Sequence, residues 1–278
     1  MYRFAAFADE ADKTLNGQIL AMKENGIDLL EIRGVDGKNI SDLTEAEAKD
    51  VKRRLDEAGI AVWSIGSPMG KIKITDDFAP HLDKFRHTMA LADILGAKRM
   101  RIFSFYHTDL PITDILRDGV LERLSRFIEE TKGTEMILCH ENEKGIYGDI
   151  ASRCAEIHRA LPALRAVFDP ANFAQCNEKI LPAWDMLASY NEYLHIKDVA
   201  EDGTIVPAGK GACEMPELIR RYQANGGIVM TLEPHLRIFS GLSALEQPDE
   251  KTNIASYRYA SGREAFDAAV GALKSIII

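Results

Sequence analysis

The sequence predicts one (β/α)8 barrel over residues 1–278, and three observations carry the prediction. Eight short runs rich in Ile, Val, Leu or Phe alternate from end to end with longer segments of helical periodicity, the pattern of parallel strands joined by crossover helices. The 278 residues allow about 35 to each of eight units, the step of a closed barrel. The turn after the first run reads ADEAD, where a dinucleotide-binding open sheet would carry a glycine-rich turn.

Residues 2–8 read as the first strand. A helix follows over 11–25, with Leu15, Ile19, Leu20 and Met22 at helical spacing before Gly26 stops it. Residues 27–33 form the second strand. Thr44 then opens TEAE, a capping box with Glu47 three residues on, and the helix runs to Ala58 with Gly59 past its end. Gly96 and Gly226 repeat that stop signal. Further strands are expected at 60–66, 98–104, 135–141, 164–169, 193–198 and 228–233. Helices are expected at about 78–95, 112–131, 149–160, 181–189 and 214–224, with a last one at 262–275. No linker divides the chain. The longest irregular segment, 234–257, falls on the last strand-to-helix connection, where barrel enzymes place binding elements.

Composition bounds the function. Hydrophobic residues make up 46% and charged residues 28%, enough to build a large core. The formal net charge of −9, with no basic run, argues against nucleic acid as a partner. The apolar start of MYRFAAFADEADK is broken by Arg3, Asp9 and Glu10, which argues against a signal peptide. No segment approaches the roughly 18 uninterrupted apolar residues of a membrane span. Cys139, Cys154, Cys176 and Cys213 form no CxxC pair and read as reduced thiols used in packing, so the expected compartment is the cytoplasm.

In a barrel all strands point one way, so residues at their C-terminal ends meet on one face however far apart they lie in sequence. The last four strands end in ILCHENE, AVFDPAN, YLHIKD and VMTLEPH, which brings Glu141, Asp169, His195 and Glu233 together. Each alone would more simply cap a strand or pair with a lysine, but four in successive units point to a shared cation. Burying three carboxylates together requires a cation, protons or basic partners. Three carboxylates and one imidazole make an oxygen-rich site suited first to Mn²⁺, then to Mg²⁺, with Co²⁺ or Zn²⁺ able to substitute.

The motifs HENE, FDPANF, HIKD and LEPH, with SPMGK after the third strand and RIFSFYH after the fourth, resemble the sugar phosphate isomerase/epimerase family of xylose-isomerase-like TIM barrels over nearly the whole chain. The resemblance implies that one metal is held by Glu141, Asp169, His195 and Glu233, and that Glu141 and Glu233 are also the catalytic acid/base pair. Sugar epimerases of that family often carry a His three residues after the Asp; this chain departs with Asn172, the candidate for a substrate contact at that point.

On this reading a substrate carbonyl and its neighbouring hydroxyl chelate the metal, which stabilises an enediolate. Glu141 and Glu233 then move a proton across one carbon or between two, giving epimerisation or aldose–ketose isomerisation. Arg33 and Lys71 are candidates for holding anionic or hydroxyl groups of the substrate, and His107 and His235 for its hydroxyls. Lys210, in PAGKG, is a weaker candidate, since its glycines either let the backbone approach a ligand or form a plain turn. Strand alternation is taken to turn Lys197 away from His195, and Lys197 and Asp198 are ranked as supporting residues at best; His140 is turned away from Glu141's side. His81, His87 and His158 are assigned to helix surface or packing.

Two other enzyme classes fit parts of the pattern. A dehydratase of a keto-cyclitol or dehydroshikimate abstracts the same proton and then expels hydroxide, with His107 or His235 as the acid. A DNA-repair endonuclease of the AP-endonuclease type shares the barrel but needs more histidine ligands and a basic surface. A sugar or keto-cyclitol is therefore the expected ligand. Family habit suggests a homodimer or homotetramer, for which no interface is readable.

Overall fold

The computed structural model describes residues 2–107, 110–239, 242, 253–254 and 258–277. Strands β1 (Arg3–Ala6), β2 (Leu29–Ile32), β3 (Ala61–Ile65), β4 (Arg99–Ile102), β5 (Ile137–Glu141), β6 (Arg165–Phe168), β7 (Asn191–Ile196) and β8 (Val229–Leu232) each pair in parallel with the next, and β8 returns to β1. The chain is thus one closed eight-stranded TIM barrel, as the alternation predicts.

The helices are α1 (Leu15–Asn25), α2 (Glu45–Ala58), α3 (Phe78–Leu95), α4 (Asp114–Glu130), α5 (Ala151–Ala160), α6 (Pro170–Gln175), α7 (Ile180–Leu187), α8 (Met215–Ala224) and α9 (Gly262–Ile276). Thr44 and Glu47 form the capping box expected for α2, and Gly26, Gly59 and Gly96 end their helices in the left-handed conformation. Helix α1 starts later than the periodicity suggested. Residues Ala8–Glu10 make a 3-10 turn, and Thr14 caps the helix by accepting from the Gly17 amide at 3.1 Å.

The alternation of strand side chains divides the core in two. The main core lies between strands and helices; inside the barrel a second set, including Ala5, Leu29, Val229, Cys139, Val167 and Tyr193, packs around Trp63. Cys139, Cys154 and Cys213 are buried, and all four cysteines are free thiols. Two short antiparallel ribbons, Gly34–Val35 with Lys38–Asn39 and Asp198–Val199 with Ile205–Val206, decorate the loops after β2 and β7. Among the described residues no helix is long and apolar enough to cross a membrane.

One glycine positions a loop over the barrel mouth. Gly70 has φ +90°, and a Cβ there would lie 2.0 Å from the Phe103 carbonyl oxygen. The close approach lets Phe103 and Phe105 donate to the Met69 and Gly70 carbonyls at 2.8 and 3.1 Å. His81, on α3, supports the same turn by accepting from the Gly70 amide at 2.8 Å. Most of the irregular segment 234–257, where binding elements were expected, lies outside the described residues.

Candidate metal centre and active site

The register of the last four strands brings their ends level. Glu141 pairs with Val167, Phe168 with Leu194 and Thr231 with His195, so Asp169 and Glu233, each one residue past its strand, stand beside the imidazole. One ligand atom from each of Glu141, Asp169, His195 and Glu233 can be chosen so that all four lie within 4.8 Å of one another, and all four residues are buried. His195 Nδ1 is 3.0 Å from Glu141 Oε1 and 3.4 Å from Glu233 Oε2. Phe7 closes the floor, its ring edge-on to His195 at 5.3 Å.

Local sequence explains Asp169. In DPAN it is the N-cap of α6, accepting from the Asn172 amide at 2.9 Å, with Pro170 in the first turn. One carboxylate oxygen is spent on the cap, and the other faces the cluster. Asn142 fixes the same backbone by exchanging two 2.9 Å hydrogen bonds with the Asp169 main chain.

Four buried cations surround the carboxylates. Arg33 donates to both oxygens of Asp9 at 2.9 and 3.0 Å, to Glu10 at 3.2 Å and to Glu233 Oε1 at 2.9 Å. Arg101 Nη1 lies 3.2 Å from Glu141 Oε2 and 3.9 Å from Glu233 Oε1. Lys197 Nζ lies 2.7 Å from Asp169 Oδ2 and 3.3 Å from Glu233 Oε2. The fourth is the His195 imidazolium of the isolated cluster: burial opposes its charge, but Glu141 and Glu31 raise its pKa well above the usual value.

The same balance sorts the carboxyls. Burial would raise Glu141, but His195 and Arg101 outweigh it and hold it below the usual range. Glu233 is held well below, since Lys197 and His195 together exceed the cost of burial. Asp169 is pushed up to about 7 by burial, only partly offset by Lys197. Glu10 is pushed up to about 8 by burial, against Arg33. Burial drives His235 well below the usual imidazole value, so it stays neutral.

These residues fit a divalent cation. The donors are three carboxylates and an imidazole, and Glu141 Oε2 and Asp169 Oδ2 are buried without an aligned hydrogen bond from any described residue. Arg101 and Lys197 neutralise those two oxygens by proximity, so lone pairs remain for an ion. Zinc, magnesium or manganese meets the same chemistry.

Above the cluster is a cavity of about 50 Å³ whose lining includes Lys71, Arg101, Glu141, Asn172, Lys197, Glu233 and His235. Three of the substrate candidates, Lys71, Asn172 and His235, therefore line it, and a fourth, Arg33, lies behind its wall. Asn172 lies 3.4 Å from Glu141 Oε1 and donates to the Asn142 carbonyl at 2.9 Å. Lys71 pairs with Glu143 at 2.7 Å and lies over the Phe103 ring. His235 adopts φ 45°, donates its backbone amide to Glu10 at 2.7 Å and stacks on Phe239. Arg33 sits behind Glu233, bound by three carboxylates.

The other two candidates lie elsewhere. His107 does not line the cavity among the described residues. Lys210 is exposed, and its flanking glycines serve Asp198, which accepts from the Val199, Gly209, Gly211 and Cys213 amides at 2.9 to 3.1 Å. A Cβ on Gly211 would lie 2.3 Å from Asp198 Oδ1, so the glycine is required by that carboxylate rather than by a ligand.

Lys197 corrects the sequence reading. Residues two apart on a strand share a face, so Lys197 points into the site with His195 instead of away from it. The same rule would have found Glu31 and Arg101, two further charged residues that sequence reasoning missed. Each stands on the inward parity of an apolar strand, two residues from Leu29 and from Arg99. His140 has the opposite parity from Glu141 and packs outside the barrel against His158, as expected.

Comparison with known proteins places the fold in a family. A family described as a xylose isomerase-like TIM barrel matches residues 19–256. No curated protein matches the chain. Among solved structures, the probable 3-DHS dehydratase AsbF involved in petrobactin synthesis from Bacillus anthracis is similar at TM-score 0.75 and 14% identity, over 99% of both chains. The IolI protein with a bound zinc atom gives TM-score 0.74 at 13% identity, over 99% of this chain and 97% of that one. A D-psicose 3-epimerase from Clostridium cellulolyticum H10 gives 0.72 at 14%, over 99% and 98%. At these identities the likeness is one of fold.

Proposed function

The chain belongs to the xylose isomerase-like TIM barrel family, and from that premise we propose that it is a divalent-metal-dependent isomerase or epimerase of a sugar or sugar phosphate. Glu141, Asp169, His195 and Glu233 hold the metal, Mn²⁺ by preference. The observation that carries this reading is the convergence of those four buried ligand atoms to within 4.8 Å of one another, with Glu141 and Glu233 also lining a cavity.

When bound, the metal polarises a substrate carbonyl and offsets the negative charge that develops on its oxygen. The rest falls to the chain. Glu141 and Glu233 enter from β5 and β8, on either side of Asp169 and His195, so one takes a proton from carbon and the other returns one. Arg101 lies 3.2 Å from Glu141 Oε2 and 3.9 Å from Glu233 Oε1 and offsets the charge of both. Lys71, Asn172 and His235 offer polar atoms to substrate hydroxyls. Arg33 holds Glu233 in place from behind.

Glu141→Gln and Glu233→Gln should each lower turnover by about 10²- to 10⁴-fold with circular dichroism unchanged. Near-normal turnover by both variants, on every substrate the wild type accepts, would remove the pair from the mechanism.

Dehydration is the second reading. It needs a proton donor beside the departing hydroxyl, and of His107 and His235 only the latter lines the cavity, where burial keeps it neutral. Incubation with keto-cyclitols separates the two. Growth of enone absorbance favours dehydration, and solvent deuterium uptake without loss of water favours isomerisation.

A further inference from the structure

Below the metal centre a buried chain of hydrogen bonds ends on the ring of His195. Glu31, on β2, is fully buried, and its Oε2 lies 3.2 Å from His195 Nε2. Its other oxygen accepts from the Tyr193 hydroxyl at 2.7 Å, and that hydroxyl lies 3.1 Å from Ser64 Oγ. The geometry is built into the strands. Tyr193 and His195 share the inward face of β7, and a register shift between Leu30 and Glu31 sets Ser64 opposite Glu31. None of these three residues reaches the cavity.

A carboxylate only accepts hydrogen bonds, so the contact to Glu31 requires a proton on Nε2. The other ring nitrogen, Nδ1, then faces Glu141 and Glu233 at 3.0 and 3.4 Å. An imidazole offers a metal the nitrogen that carries no proton, and an outer carboxylate that pins the opposite N–H sets both the tautomer and the ring plane.

We propose that Glu31 is a positioning residue for the metal centre: with Tyr193 behind it, it holds the proton of His195 on Nε2 and turns Nδ1 to the point shared by Glu141, Asp169 and Glu233. The inference rests on the metal-site reading above but goes beyond it, since Glu31 touches neither the ion's position nor the substrate cavity.

The test uses Zn²⁺ alone. Calorimetric titration of the chelator-stripped full chain is compared across wild type, Glu31→Gln, Glu31→Ala and Tyr193→Phe. Ring ¹⁵N shifts of His195 in the Zn²⁺-loaded protein read which nitrogen is metallated. Glu31→Ala should weaken Zn²⁺ binding about 10- to 100-fold. Glu31→Gln, which keeps an acceptor oxygen opposite Nε2, should recover most of that loss, and the wild-type spectrum should show a metallated Nδ1. Tyr193→Phe keeps the bulk and supplies the comparison should the alanine variant not fold; it should weaken binding by a smaller factor. Metallation at Nε2, or affinities within threefold of wild type in every folded variant, would overturn the role of Glu31 alone. A wild-type chain that takes up no Zn²⁺ would instead overturn the metal-site reading and this proposal with it.

Discussion

Arg33 spends its guanidinium on three carboxylates, Asp9, Glu10 and Glu233, and is almost wholly buried. Removing one partner of such a network leaves the others charged in a poor dielectric. Arg33→Ala should therefore lower stability by about 3–5 kcal/mol in urea unfolding; a variant of unchanged stability and raised KM would return Arg33 to the role of a substrate contact. The residue scale also shows which members of the site can be read from sequence. Glu141, Asp169 and Glu233 are legible because each ends an apolar run. Glu31, Arg101 and Lys197 lie among apolar neighbours, and only the strict period of two along a strand marks them as inward-facing. Their partners come from other strands, which no local pattern reveals.

The elements were legible where a signal is local. Thr44 with Glu47 and the glycines after α1, α2 and α3 fixed helix ends within a residue or two. Helix α6 escaped because six residues carry too little periodicity, although Asp169 followed by Pro170 is itself a start signal. The ribbons after β2 and β7 escaped for the same reason, being two residues per strand. Asp198 shows how such a loop is held: one carboxylate gathers four backbone amides between Val199 and Cys213. Asp198→Ala should raise amide hydrogen exchange at Val199, Gly209, Gly211 and Cys213 about tenfold or more, for a loss of roughly 1–2 kcal/mol of local stability. Unchanged protection at those four amides would assign the loop's order to other contacts.

At the scale of the whole molecule, the fold concentrates its charge. Six buried carboxyls, on Asp9, Glu10, Glu31, Glu141, Asp169 and Glu233, share the upper barrel with Arg33, Arg101 and Lys197, while the layers below are mostly apolar. Elsewhere the burial of imidazoles makes stability depend on pH. His158 is driven down to about 4 by burial, so in acid the unfolded chain binds a proton that the folded chain refuses. Its contribution is full above pH 6.5 and falls away as the pH drops toward 4. Asp169 and Glu10, raised to about 7 and 8 by burial, act in the opposite sense, losing stability as the pH rises through those values. A paired comparison isolates the histidine. His158→Phe, which keeps the stacking on Tyr190, should gain on wild type by on the order of 2 kcal/mol between pH 7 and pH 4 in chelator-treated protein. A constant difference across that range would contradict a neutral buried His158.

Solvent deuterium exchange into a panel of ketoses, keto-acids and cyclitols tests the account most directly, run in D₂O on metal-stripped protein and on the same protein reloaded with Mn²⁺. The reloaded chain should place deuterium on the carbon beside the carbonyl of at least one substrate, and the stripped chain should not. Equal exchange with and without the metal, or none from either sample on any member of the panel, would contradict a metal-assisted proton transfer between Glu141 and Glu233.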